Sequence, residues 1–142
     1  MNTPKLIDNV FFYPVRVYYE DTDAGEIVYY ANYFKFAERA RTEFLRHFNI
    51  HQSQLLANER IAFAVRHAEA DYKKPAKLDD LLVVETKIVH VAGASVKMEQ
   101  LIKRADEVLV QVKVRIACIH LEGRPMALPK MIKQQFEQLL GK

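Results

Sequence analysis

Three carboxylates stand close together near the N-terminus: Glu20, Asp21 and Asp23 lie within four residues. They follow an aromatic, β-branched segment and precede Gly25, which can supply a positive φ or a close backbone approach that other residues resist. Carboxylates crowded in this way repel one another, and such acids serve as nucleophiles or as general bases. We therefore expect the chemistry of this chain between residues 18 and 41.

Other chemistries fit these acids less well. A calcium loop beginning at Asp21 would need glutamate at its twelfth position, where the sequence has Asn32, and its fifth position would be Gly25. The five histidines show no ligand spacing, and no Ser-His-Asp set can be picked out. We predict no metal site. For Asp21 a turn or cap role is favoured, because Asp side chains satisfy local backbone N–H groups.

Composition indicates one ordinary domain, residues 1–142. Half of the residues are hydrophobic (50%), enough for a single core. The 21 basic and 18 acidic residues give a net charge of +3 without a long basic run, so nucleic acid is not an expected partner.

The N-terminus lacks a signal-peptide pattern, and no apolar run reaches about 20 residues, so no membrane span is predicted. Cys118 is the only cysteine and is expected to fill the core. These features favour a soluble cytoplasmic protein.

The helices are predicted from apolar positions that recur every three or four residues. The longest helix is expected at residues 32–49, on this apolar stripe: Tyr33, Ala37, Ala40, Phe44 and Phe48. The two alanines in its middle would let the helix lie close to a sheet. A second short helical or irregular piece is expected at 51–60. A short C-terminal helix begins at Leu128-Pro129, because proline suits the first turn of a helix.

Aromatic and β-branched composition and period-two alternation predict five strands, at residues 12–20, 63–72, 81–90, 95–104 and 108–120. Short connections favour antiparallel neighbours, so residues 63–120 are expected to form a meander, whereas residues 1–10 are expected to be a loose lead-in. The predicted fold class is α+β, with one long helix covering a five-stranded antiparallel sheet. One helix is too narrow for such a sheet, so a homodimer or homotetramer is expected.

The run VRVYYEDTDAGEIVYYANYFKFAERARTEFLR, at residues 15–46, resembles a known family signature. It is similar to hot-dog-fold acyl-CoA thioesterases of the 4-hydroxybenzoyl-CoA thioesterase type, and most closely to their Tol-Pal-associated bacterial branch. Further similarities lie in YKKPAKLDDLLVVET at 72–86, in VRIACIH at 114–120 and in the helix that follows LEGRPMALP. The hot-dog fold, a helix wrapped by an antiparallel sheet, agrees with the fold predicted from periodicity.

The resemblance implies hydrolysis of an acyl-CoA thioester. Asp23 matches the catalytic carboxylate, as nucleophile or as general base for water, and the backbone N–H of Tyr30 matches the donor to the thioester oxygen. A helix N-terminus suits that donor because its N–H groups are unpaired and its dipole is positive there. Substrate contacts are expected from Gly25, Val28 and Asn32. No cofactor is needed, since the thioester carries its own leaving group.

Two positions differ from the Tol-Pal-associated branch. Tyr30 stands where histidine is common, and Glu26 stands where glycine is common. Tyrosine occupies the first of these positions in the 4-hydroxybenzoyl-CoA enzymes, so hydrolysis is still predicted. Lys73, Lys74 and Lys77 either meet the phosphates of coenzyme A or form a solvated loop, and the loop is favoured.

Two functions remain open on the sequence. The first is an acyl-CoA thioesterase, with acyl carrier protein as a further candidate partner or acyl donor. The second is a non-catalytic hot-dog module that binds acyl-CoA or acyl carrier protein in envelope lipid metabolism. Such a module would have no need of Asp23.

Overall fold

The computed structural model describes residues 3–140, in which one antiparallel sheet wraps a long helix. The helices are α1 (Asn32–His47), α2 (Gln52–Glu59) and α3 (Lys130–Gln138). The strands are β1 (Lys5–Ile7), β2 (Val10–Arg16), β3 (Ile61–Tyr72), β4 (Leu81–Val91), β5 (Ser95–Arg104) and β6 (Glu107–His120). A short 3-10 turn, Tyr19–Asp21, separates β2 from the segment that leads into α1. The α+β class predicted from the sequence is confirmed.

The order of the strands across the sheet is β1-β2-β4-β5-β6-β3, and every pair is antiparallel. The predicted meander is therefore wrong for its first strand: β4, β5 and β6 are successive neighbours, but β3 pairs with β6 at the far edge. Residues 73–80 make the crossing from β3 to β4. These strands are three spacings apart, about 14 Å, and eight residues can span up to about 26 Å. The length of the connection thus permits non-adjacent strands.

The sheet has six strands instead of the predicted five, because the segment predicted as a loose lead-in contributes β1. Asp8 and Asn9 have φ angles of 51° and 67°, and a two-residue hairpin with this left-handed backbone pairs β1 with β2. β2 also ends four residues earlier than predicted. The chain bends there because the Oδ2 atom of Asp21 accepts the Tyr18 N–H at 2.9 Å and stabilises the 3-10 turn.

α1 packs on the sheet through the apolar stripe that its sequence predicts. Tyr33, Ala37, Ala40 and Phe44 are all buried. The alanines leave room for the strands to approach the helix backbone. The fully buried Gln100 of β5 uses that room, since its Nε2 donates to the Ala37 carbonyl at 2.8 Å. α1 is therefore held in a fixed position relative to the sheet, which also fixes its N-terminus.

The remaining elements follow the predicted pattern. Cys118 of β6 is fully buried, as expected for a core position, and α3 begins directly after Pro129. Within residues 3–140, no helix has both the length and the apolar character needed to cross a membrane. β3 forms one edge of the sheet over its 12 residues and is largely exposed.

Candidate active site

The acidic turn is the tip of a small hairpin between β2 and α1. Thr22 pairs with Val28 in an antiparallel bridge, and the Asp23 N–H donates to the Ile27 carbonyl at 3.0 Å. The Glu26 N–H donates to the Asp23 carbonyl, also at 3.0 Å, and closes a four-residue turn. Asp23 therefore stands at the tip of the hairpin, with its side chain exposed.

The sequence suggests two roles for Gly25, a positive φ or a close approach of its backbone to another group. The structure shows the second role and not the first. The Gly25 N–H donates to the Oδ1 atom of Asp23 at 2.8 Å, and a Cβ at this position would lie 3.3 Å from the same oxygen. The left-handed backbone falls one residue later, on Glu26, whose φ is 64°. A glycine at position 26 would adopt this angle without the strain that a side chain introduces.

Asp21 lies at the base of the hairpin and joins the hairpin to α1. Its side chain is 6% exposed; its Oδ1 accepts from Asn32 Nδ2 at 3.1 Å and its Oδ2 accepts the Tyr18 N–H at 2.9 Å. Its backbone carbonyl accepts the Tyr29 N–H at 2.9 Å. These bonds give Asp21 the turn role predicted for it and fix the direction of the chain as it enters α1.

The backbone N–H of Tyr30 is free at the start of α1. Among residues 3–140 it has no hydrogen-bond acceptor. The carbonyl of the same peptide unit, on Tyr29, accepts the Asn32 N–H at 2.8 Å, and a peptide polarised in this way is a better donor. The Tyr30 carbonyl accepts the Tyr72 hydroxyl at 3.3 Å. A free donor at the positive end of the helix dipole can receive a developing oxyanion.

Asp23 and Tyr30 lie at opposite ends of this hairpin. Ile27 is opposite Asp23, so Tyr30 is three residues farther along the chain, a span of up to about 10 Å. Within residues 3–140 no hydrogen bond joins the two residues. The chain therefore carries the acid and the donor on the same hairpin, with no hydrogen bond between them among the described residues.

Val28 and Asn32 are both buried, with exposures of 3% and 8%. The Val28 N–H donates to the Ala76 carbonyl at 2.9 Å, and the Asn32 side chain is bonded to Asp21. Both residues position the chain around the hairpin and the helix start. Their direct contact with a substrate stays a prediction.

A pocket of about 300 Å³ is lined in part by Tyr30. Tyr30, Tyr33 and Tyr72 form its aromatic walls, and the ring of Tyr72 lies 6.2 Å from that of Tyr30 and 5.7 Å from that of Tyr33. Burial raises the pKa of both Tyr33 and Tyr72. These phenols therefore stay neutral at physiological pH and offer an aromatic surface with hydroxyl groups to a ligand.

Charged side chains border the same pocket. Lys73 and Lys74 line it, but Lys73 lies 3.4 Å from the carboxylate of Asp71 and Lys74 is paired with Glu107. These ion pairs suit the solvated loop that the sequence favours. Residues 3–140 contain no group of His, Cys, Asp and Glu side chains arranged to hold a metal ion.

Tyr72 is the site residue that the sequence does not reveal. It ends β3, more than forty positions from Tyr30 in the sequence, and the two residues meet because β3 lies beside β6 at the edge of the sheet. The one sequence signal is an aromatic residue at the end of a strand, directly before Lys73. That pattern is common in strands and does not by itself indicate a site.

A long helix wrapped by an antiparallel sheet, with a free N–H at the helix start and an acid on the turn before it, defines a hot-dog protein of the α+β class. The chain belongs to the thioesterase superfamily, whose family model matches residues 25–111. It is accordingly an enzyme of the thioester-hydrolysing class.

Individual relatives agree with this assignment. The chain is 48% identical over 135 residues to the acyl-CoA thioesterase YbgC of Haemophilus influenzae, covering 94% of this chain and 99% of the relative. It is 47% identical over 131 residues to the acyl-CoA thioester hydrolase YbgC of Escherichia coli O6:H1, covering 91% and 97%. A crystal structure of a probable thioesterase from Bartonella henselae superposes with a TM-score of 0.81 at 40% identity, covering 83% of this chain and 98% of that one.

Proposed function

We propose that this thioesterase hydrolyses acyl thioesters of coenzyme A, with Asp23 as the reacting acid and the Tyr30 N–H as the oxyanion donor. The single observation that carries the proposal is the free Tyr30 N–H at the start of α1, on the hairpin whose tip bears Asp23. The names of the relatives from Haemophilus influenzae and Escherichia coli support acyl-CoA as the substrate class.

Two routes use the same groups. On the nucleophilic route a carboxylate oxygen of Asp23 attacks the thioester carbon, the Tyr30 N–H stabilises the oxyanion, and the thiolate leaves and takes up a proton. Water then hydrolyses the mixed anhydride to the free acid and the carboxylate of Asp23. On the general-base route Asp23 takes a proton from water as the water attacks the thioester carbon, and the Tyr30 N–H stabilises the oxyanion of the resulting tetrahedral intermediate. Collapse of that intermediate gives the free acid and expels the thiolate, which takes up the proton held by Asp23. Neither route requires a cofactor.

A second copy of the chain would complete the site. Asp23 and Tyr30 share no hydrogen bond within residues 3–140 of one chain, whereas β3 offers an unpaired edge that ends at Tyr72, beside Tyr30. The uncovered face of β3 carries Val65, which is 53% exposed. Pairing along this edge would cover that apolar surface and bring a second chain to the Tyr30 pocket. A homodimer, or a homotetramer built from it, is therefore part of the proposal.

Acyl carrier protein as a partner, a cytoplasmic location and an association with the Tol-Pal system all stay predictions. The alternative is a module that binds acyl-CoA or acyl carrier protein without hydrolysing it. The exposed carboxylate of Asp23, whose Oδ1 accepts the Gly25 N–H, favours the enzyme, because a binding module has no use for it.

Thiol release from a panel of acyl-CoA chain lengths tests the proposal. The Asp23→Asn variant should lose turnover by about 10²–10⁴-fold while keeping its fold and oligomeric state. Glu20→Gln removes an exposed carboxylate from the same turn and is the matched control, with turnover close to that of the parent.

Single-turnover hydrolysis in ¹⁸O-water separates the two routes, since label enters Asp23 only on the nucleophilic one. Full activity of Asp23→Asn would remove Asp23 from the mechanism. Binding of every acyl-CoA in the panel without thiol release would favour the non-catalytic module.

A further inference from the structure

Four basic residues form a row across the outer face of the sheet, away from α1. The register pairs His90 with Lys97, Lys97 with Arg115, and Arg115 with His67, so the row crosses β4, β5, β6 and β3. Its length over three strand spacings is about 14 Å. The row lies on the outer face because the alternating residues, such as Met98, are buried in the core.

This row differs from its neighbour on the same face. One step along the strands, Lys87 is opposite Glu99, Glu99 is opposite Lys113, and Lys113 is opposite Glu69. Alternating charges of this kind stabilise a sheet, whereas like charges directly opposite each other destabilise it. Folding thus accounts for the alternating row but not for the basic one.

The cations of the basic row lack protein partners. Within residues 3–140, neither Lys97 nor Arg115 has an ion pair, and the same holds for Arg66 at the β3 bulge. Elsewhere on the sheet, Lys103 pairs with Glu85 at 2.9 Å, and Arg104 pairs with Asp80 and Glu107. Of the two histidines, His67 lies 3.3 Å from a carboxylate oxygen of Glu69. Positive charges without an ion pair therefore lie side by side at Arg66, Lys97 and Arg115.

The unpaired cations line a groove of about 610 Å³. Arg66, Lys97, Lys113 and Arg115 contribute four permanent positive charges, and Glu69 and Glu99 contribute two negative ones, so the groove is electropositive. A volume of this size is typical of small-molecule sites. The arginine forks match the oxygens of a phosphate group, which can accept two parallel hydrogen bonds.

We propose that this groove binds a small soluble molecule carrying a diphosphate or two phosphate groups. The groove has no Phe, Tyr or Trp in its lining and a single imidazole, that of His67, so it offers little of the stacking surface that single-stranded nucleic acid uses. A lipid surface is also a poorer match, because the only apolar side chain exposed in the lining is that of Val89. The proposal is independent of the hydrolysis proposed above.

Calorimetric titration with inorganic pyrophosphate at low ionic strength tests the proposal on the full chain. The parent protein should bind saturably, and Lys97→Gln and Arg115→Gln should each weaken binding by about tenfold or more, since each removes a charge-assisted bond. Lys87→Gln makes the same charge change on the same face but in the alternating row, so it should leave affinity within about twofold.

Thermal unfolding separates a ligand-binding role from a structural one. Without pyrophosphate, Lys97→Gln should raise the Tm by about 1–4 °C, because it removes like-charge repulsion. A lower Tm in this variant would mean that Lys97 supports the fold, and it would count against the proposal.

Three binding results would overturn the proposal. One is the absence of saturable pyrophosphate binding by the parent. Another is equal weakening by Lys87→Gln, which would indicate diffuse surface charge. The third is binding to phosphatidylglycerol vesicles, but not to phosphatidylcholine vesicles or pyrophosphate, with loss in Lys97→Gln; that pattern would assign the face to a membrane surface.

Discussion

Replacing Asn32 by alanine tests whether the buried contact under the hairpin positions the oxyanion donor. Asn32 donates to the buried carboxylate of Asp21 at 3.1 Å, and the variant leaves one oxygen of that carboxylate without this partner. A hydrogen bond to a charged group contributes about 1.5–3 kcal/mol. The Tyr18 N–H still bonds the other oxygen, so we expect a loss near the middle of that range, about 2 kcal/mol. For a chain of this size the Tm should fall by about 4–8 °C.

Activity should fall further than stability alone explains. The Asp21 carbonyl holds the Tyr29 N–H, and Tyr29 shares its peptide unit with the Tyr30 N–H, so loosening Asp21 shifts the donor. Removing an oxyanion donor outright lowers kcat by about 10²–10³-fold. A displaced donor retains part of its effect, so kcat/KM should fall by about tenfold at a temperature where Asn32→Ala is fully folded.

Asn32→Asp sharpens this test because it places two carboxylates against each other. One of them must hold a proton in the folded state, so its folded pKa rises above its unfolded value. Stability is then poor at neutral pH and recovers as pH falls through the raised pKa. Asn58→Ala, at an exposed position of α2, is the control and should change neither the free energy of unfolding nor kcat/KM. Lower stability of Asn32→Ala with unchanged kcat/KM would refute the link between Asn32 and the Tyr30 donor.

Three further outcomes are expected. Glu26→Gly should raise the free energy of unfolding by about 1 kcal/mol, since the φ of 64° at Glu26 disfavours a side chain. Glu26→Ala is the control. An equal gain in stability in Glu26→Ala would show that loss of the negative charge, and not relief of backbone strain, causes the effect. Tyr30→Phe keeps the backbone N–H and should leave kcat/KM within about threefold, so a collapse of the rate would give the hydroxyl a catalytic role. Tyr33 accepts the Ala76 N–H at 3.0 Å, and burial raises its pKa. The contribution of the neutral Tyr33 phenol to the free energy of unfolding is complete below the unfolded pKa of about 10, and it is lost as pH rises through the folded pKa. Urea denaturation across that pH range would detect the loss. The Tyr33→Phe variant should show a weaker dependence of stability on pH.

The sequence predicts the elements well because their signals are local. The stripe of α1 and the alternation in β6 depend on which face of one element is buried, and that is set by spacing along the chain. The sequence does not reveal the N-terminal hairpin, for a different reason. Asp8 and Asn9 carry the turn without any glycine, and β1 is too short at three residues to show a period.

The candidate site is only partly predictable. Through the family resemblance the sequence predicts catalytic roles for Asp23 and for the Tyr30 N–H just before α1, and these stay predictions; it also favours a turn role for Asp21. It does not reveal that Asn32 reaches Asp21, or that the positive φ belongs to Glu26. Both features depend on the backbone path of the hairpin. A shift of the turn by one residue would move the positive φ, and the contacts of each side chain, to the next residue along the chain.

The sequence by itself determines that this chain has a long helix, an antiparallel sheet and an acidic turn directly before the helix, because periodicity and turn chemistry are properties of neighbouring residues. The tertiary structure decides that β3 leaves the meander for the far edge of the sheet, since an eight-residue connection is long enough for either arrangement. That choice brings Tyr72 to Tyr30 and places His67 in line with Arg115 and Lys97. Both the pocket at the helix start and the basic groove on the outer face therefore arise from strand order, which no local pattern encodes.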